Sequence, residues 1–141
     1  MQKFRFATVC FALILACGAG FAGEMDDLDA EELAMVEAMR NEPPITQADI
    51  DIIVKLSPQF DDFEDDMDGM TKLITDSGLT FARFQYVMSK VGMGIMMVMM
   101  PEHVTRDLIM QSGDVPEFLI PTDADLELIG ANMDSIQAIM Q

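Results

Sequence analysis

Phe81-Ala-Arg-Phe-Gln-Tyr-Val-Met-Ser-Lys-Val-Gly-Met-Gly-Ile-Met-Met-Val-Met-Met100 is the stretch on which the fold turns. Its apolar residues Phe81, Phe84, Met88, Val91, Ile95 and Val98 step by threes and fours. That is the one-faced stripe of an amphipathic helix, not the alternation of a strand. Thr80 opens the segment. Pro101 ends it or kinks it sharply, because the residue before a proline is pushed away from helical angles. From Val91 to Met100 the helix is apolar on every face apart from its glycines, yet it is too short to span a membrane. It is expected to be the end of a central helix surrounded by the others, with Gly92 and Gly94 permitting close approach. Its surplus apolar surface would otherwise be a dimer interface or a ligand groove.

The same rhythm recurs on both sides. Phe60, Phe63, Met67, Met70 and Ile74 form one stripe, and Leu126, Ile129, Met133, Ile136 and Met140 form another. Thr46 with Asp49 and Thr122 with Asp125 resemble capping boxes, each with an acid one carbon shorter than usual. The first opens a helix to Leu56, and the second opens the last helix, running to the C-terminus. Ser57-Pro58 starts a helix closed by Gly78, Pro101 to Gln111 is a short one closed by Gly113, and Asp27 to Met39 precedes them all. These segments predict an all-α fold, a compact bundle of five or six short-to-medium helices, with no repeat of solenoid length.

The front of the chain reads differently. Lys3 and Arg5 precede an uncharged stretch from Phe6 to Ala22, whose apolar heart is too short to cross a bilayer. Residues 1–22 are therefore expected to be a cleaved signal peptide, with Gly20 and Ala22 at the two positions that must be small. Ile14-Leu-Ala-Cys17 also resembles a lipobox, in which Cys17 would be lipidated and the cleaved segment would end just before it. Both outcomes stay open. The remainder, 23–141, is expected to be a single acidic helical domain in the periplasm, or at the outer membrane if Cys17 carries lipid.

Charge and cysteine content exclude several classes. The chain has 25 acidic residues against 8 lysines and arginines, a net charge of −17, and both cysteines fall at positions 10 and 17. Removing the leader strips two basic residues and no acid, so the domain is more acidic still. Such a chain repels nucleic acid and anionic headgroups. Its partners would be cationic proteins, cations or small apolar ligands, with a homodimer as a further form. The domain lacks the cysteines for an internal disulfide and must be held by packing.

Candidate chemistry is sparse. Setting Gly69 at position 6 of an EF-hand loop places Glu64, Asp66 and Asp68 at positions 1, 3 and 5. Position 12 then falls on Thr75, which supplies no bidentate carboxylate. The Phe60–Ile74 stripe also runs through this acidic run as if through one helix, which favours a solvated acidic face. Methionine is the unusual feature, with 15 in the chain. Met96, Met99, Met100 and His103 would share a face on a continuous helix, and thioether plus imidazole suits Cu(I) or Ag(I). Pro101 argues against that continuity, and the other methionines sit on ordinary core stripes. No catalytic residue or cofactor is assigned: His103 is the sole histidine, no serine sits in a nucleophile elbow, and no phosphate loop follows a strand. Arg83 and Lys90 are placed on the less apolar side of the central helix, while Lys55 and Lys72 are expected to pair with nearby acids in screened surface contacts.

The expectation is thus a non-catalytic exported helical protein, a binding or accessory module acting through a Met-rich apolar surface near 91–104. A soft-metal or calcium-binding periplasmic protein is the alternative, and an enzyme using carboxylates alone is the second.

Overall fold

A hydroxyl or carboxylate oxygen that accepts the amide hydrogen three residues on opens five of the helices. Thr46 receives Asp49 N at 3.4 Å, Asp66 receives Gly69 N at 2.9 Å and Thr80 receives Arg83 N at 3.0 Å. Thr105 receives Leu108 N at 3.3 Å and Thr122 receives Asp125 N at 3.2 Å. Each satisfies one of the amides that a helix start leaves without an internal partner. The computed structural model describes residues 30–63, 65–113 and 115–140. Their order is α1 (Ala30–Arg40), α2 (Gln47–Leu56), a 3₁₀ segment (Ser57–Phe63), α3 (Met67–Asp76), α4 (Phe81–Met99) and α5 (Arg106–Ser112). A short 3₁₀ turn (Glu117–Leu119), α6 (Asp123–Ala131) and α7 (Met133–Met140) complete it. All regular structure among the described residues is helical, so the chain is an all-α bundle. The expected signal peptide, residues 1–22 with Cys17, lies outside the described residues, as do residues 27–29 of the first expected helix.

α4 is the axis of the bundle. It packs against α1, α3, α6 and the short 3₁₀ turn, while α2 packs against the first 3₁₀ segment and α7. Its inner face carries Phe84, Val87, Val91 and Met97, all buried. The Phe84 ring meets Phe60 edge-on, with centroids 5.6 Å apart and planes at 71°, a favoured aromatic geometry. Gly94 is buried against Ile129 of α6, and a Cβ there would stand 2.3 Å from the Ile129 Cδ1. The close approach expected of this glycine is therefore real, and it sets the α4–α6 spacing. Gly94→Ala must displace the Ile129 side-chain tip but gains helix propensity of about 0.5–1 kcal/mol. Its net effect is expected to stay within about 1 kcal/mol of the parent and below the gain of Gly130→Ala, both read from the urea midpoint. Gly130, with open space around its missing Cβ, is the control.

Two expected helices are divided, and a third starts late. The Phe60–Ile74 stripe is not one helix: the 3₁₀ segment ends at Phe63, and Asp66 caps a new helix. A Cβ on Gly69 would meet Asp66 Oδ2 at 2.4 Å and Phe63 Cδ1 at 2.6 Å, so this glycine lets the cap fold close. The last helix breaks at Asn132, whose side-chain amide donates to Leu128 O at 2.8 Å. Asn132 and Gln47 also exchange amide hydrogen bonds of 2.7 and 2.8 Å, joining the end of α6 to the start of α2. The segment after Pro101 begins with a turn, and α5 starts only at Arg106.

Candidate interaction surface

Two cations on α4 orient it in the bundle. Arg83 and Lys90 lie seven residues apart, two helical turns, and reach opposite partners. Lys90 Nζ donates to Asp125 Oδ2 at 2.7 Å, with only 5% and 3% of the two side chains exposed. Asp125 is also the third residue of the α6 capping box and accepts the Thr122 amide at 2.9 Å. Arg83 repeats the arrangement on α2. Its Nη2 donates to Asp49 Oδ2 at 2.5 Å, and Asp49 Oδ2 accepts the Thr46 amide at 2.8 Å. The Arg83 guanidinium also donates to the carbonyls of Pro43 and Pro44 and to Glu42. Between the two, the Tyr86 ring receives the Arg83 guanidinium at 5.4 Å and the Lys90 ammonium at 5.1 Å. Both cations are enclosed by the bundle: Lys90 is buried, and the Arg83 side chain is 11% exposed.

The carboxylates register this environment. Burial alone would raise Asp125, but hydrogen bonds from Lys90 and from the Thr122 amide, with the Lys90 charge, hold it below its ordinary value. Burial likewise opposes the charge of Asp49, and its hydrogen bonds from Arg83 and Thr46 outweigh it, so its pKa is also lowered. Both buried carboxylates are thus held ionised as acceptors. Among the described residues, no buried side-chain nitrogen or oxygen lacks a hydrogen-bond partner.

The C-terminal end of α4 contrasts with this closed interior. Met97 is 7% exposed, but Met96 is 43%, Val98 38%, Met99 61% and Met100 41% exposed. The end of the central helix is therefore not surrounded by its neighbours. Val91, Gly94 and Met97 are buried, with Gly94 against Ile129 of α6, and Ile95 is partly buried against the core. α5 follows across a short turn and has no buried residue, with Leu108 50% and Met110 46% exposed. Six large apolar side chains in two consecutive segments are thus left to solvent. Exposed apolar groups that recur in this way mark binding surfaces more often than single ones do.

The four residues singled out for a soft metal are all exposed, but α4 stops before it reaches the last. Met96 and Met99 sit on its final turn, Met100 closes it, and His103 lies in the turn beyond, its amide donating to Met100 O at 3.0 Å. The continuous helical face that would unite them ends at Pro101. At the acidic run, the Asp66 carboxylate accepts from Gly69 N as a cap. No group of three or more His, Cys, Asp or Glu among the described residues is placed to hold a metal ion. No described helix is long and apolar enough to cross a membrane.

Two features escaped the sequence reading. Leu108 and Met110 add exposed apolar side chains beyond 91–104. Their signal was a seven-residue helix, too short to bury itself, carrying three adjacent apolar residues. The second feature is a short duplication. Thr46-Gln-Ala-Asp-Ile-Asp-Ile-Ile53 and Thr122-Asp-Ala-Asp-Leu-Glu-Leu-Ile129 share Thr, Ala, Asp and Ile in register, with apolar and acidic types matched at the positions between Asp and Ile. Each copy supplies the carboxylate that takes one cation of α4. No protein-family model, characterised protein or solved structure matches the chain.

Proposed function

We propose that this is an exported, non-catalytic helical module that binds a partner through the Met-rich apolar surface formed by the end of α4 and by α5. The observation that carries it is the exposure of Met96, Val98, Met99, Met100, Leu108 and Met110 beside a fully satisfied polar interior. Thioether side chains are flexible and polarisable, and suit adaptable binding faces. The test uses Nile red, a neutral dye that the acidic surface does not repel. The protein lacking residues 1–22 should enhance its emission, and the M99Q/L108Q variant should lose most of that enhancement with an unchanged melting curve. No enhancement in the parent protein would remove the basis of the proposal. The mass of the chain recovered from its host's envelope tests export and the fate of Cys17 together.

A second proposal, binding of Cu(I) or Ag(I) by Met96, Met99, Met100 and His103, is supported by the accessibility of all four. Saturable binding in a Cu(I) competition titration, lost in H103A, would uphold it.

A further inference from the structure

We propose that the occupant of this surface is a cationic amphipathic segment of another protein. The proposal rests on the binding role above and names the chemistry of its partner. From Val91 to Met100 no residue carries charge, whereas the chain as a whole bears −17. The fold leaves that acidic balance in place. Arg83 and Lys90 pair inside the bundle with Asp49, Glu42 and Asp125, and the exposed Arg40 pairs with the exposed Glu37 at 3.4 Å. In sequence, the exposed Glu102 and Asp107 and the partly exposed Arg106 lie between Met100 and Leu108. The surface is therefore uncharged from Val91 to Met100 and belongs to a strongly negative molecule, whose net field favours a cation.

Each other class of occupant meets that field unfavourably or not at all. A second copy brings the same −17 against it. An anionic bilayer is repelled for the same reason, and a neutral ligand gains burial but no attraction. A segment with one apolar face and lysines or arginines along its rim gains both, burying its apolar side chains on the thioethers while its charges meet the net negative field.

The experiment is calorimetry on the protein lacking residues 1–22, with a Leu/Lys amphipathic peptide of about 14 residues and a Leu/Glu peptide of the same apolar face. The Leu/Lys peptide is expected to bind saturably in the micromolar range and the Leu/Glu peptide not to bind. M99Q/L108Q, which leaves charge unchanged, should weaken binding tenfold or more. Raising salt from about 0.05 to about 0.5 M should weaken it by a similar factor. Equal binding of both peptides would overturn the inference. So would undiminished binding to M99Q/L108Q, which is attraction without the apolar surface. Capture by anionic vesicles in place of the peptide, or self-association abolished by M99Q/L108Q, would overturn it in favour of a bilayer or of a second copy. Nile red separates the two levels: dye binding without peptide preference refutes the cationic partner alone, and loss of both refutes the surface.

Discussion

Asp125→Ala is expected to destabilise the protein by about 3–5 kcal/mol, a large part of the about 5–15 kcal/mol that holds a domain of this kind together. The substitution strands the Lys90 ammonium, 4% exposed, without its carboxylate, and it removes the acceptor for the Thr122 amide. A buried charge left alone is far costlier than the pair is beneficial, because desolvating two ions consumes most of their attraction. The double variant Lys90→Met with Asp125→Leu is therefore expected to recover more than half of the loss. Urea unfolding followed by circular dichroism at neutral pH measures both. A cost below about 1 kcal/mol for Asp125→Ala would mean that the pair behaves as a solvated surface bridge. The pair also predicts a pH dependence. The folded pKa of Asp125 lies below its unfolded value, so its contribution is complete above about pH 4 and is lost as pH falls through the folded pKa. Asp49 acts in the same direction. Stability should decline below about pH 4, and the double variant should show a shallower decline, with the remainder assigned to Asp49.

Arg83→Lys is the second large effect, and charge conservation should not rescue it. The guanidinium serves Asp49, Glu42 and the carbonyls of Pro43 and Pro44 at once, fastening the Pro-Pro loop to α4. A lysine offers one compact ammonium and cannot span that set. We expect a loss of about 2–3 kcal/mol, close to that of Arg83→Met, together with faster hydrogen exchange across residues 42–46. A lysine variant within about 0.5 kcal/mol of the parent would show that charge alone matters at this position.

The parts of the fold that were legible in the sequence are those governed by neighbours in the chain. Thr46 with Asp49 and Thr122 with Asp125 form full capping boxes, Thr80 opens α4, and Gly113 ends α5 with φ of +71°. The divisions were not legible, because steps of three and four fit a 3₁₀ turn followed by an α-helix as well as one continuous helix. Phe60 and Phe63 lie in the former, Met70 and Ile74 in the latter. Asn132, where the last helix breaks, also pairs with Gln47, 85 residues away, a contact that no local pattern encodes. The ion pairs were hidden for the same reason: a lysine among apolar residues looks like a solvated edge until its acid is known. At the candidate surface, composition revealed the surplus of methionine. Which side of the helix stays bare depended on tertiary packing.

One consequence concerns how this protein can be watched. The chain has one tyrosine and no tryptophan. That tyrosine, Tyr86, is 4% exposed and lies under both α4 cations. Its intrinsic ultraviolet emission is a single optical gauge set between the α2 and α6 anchorages. Release of either anchorage alters the charge over one face of the same ring, without any introduced label.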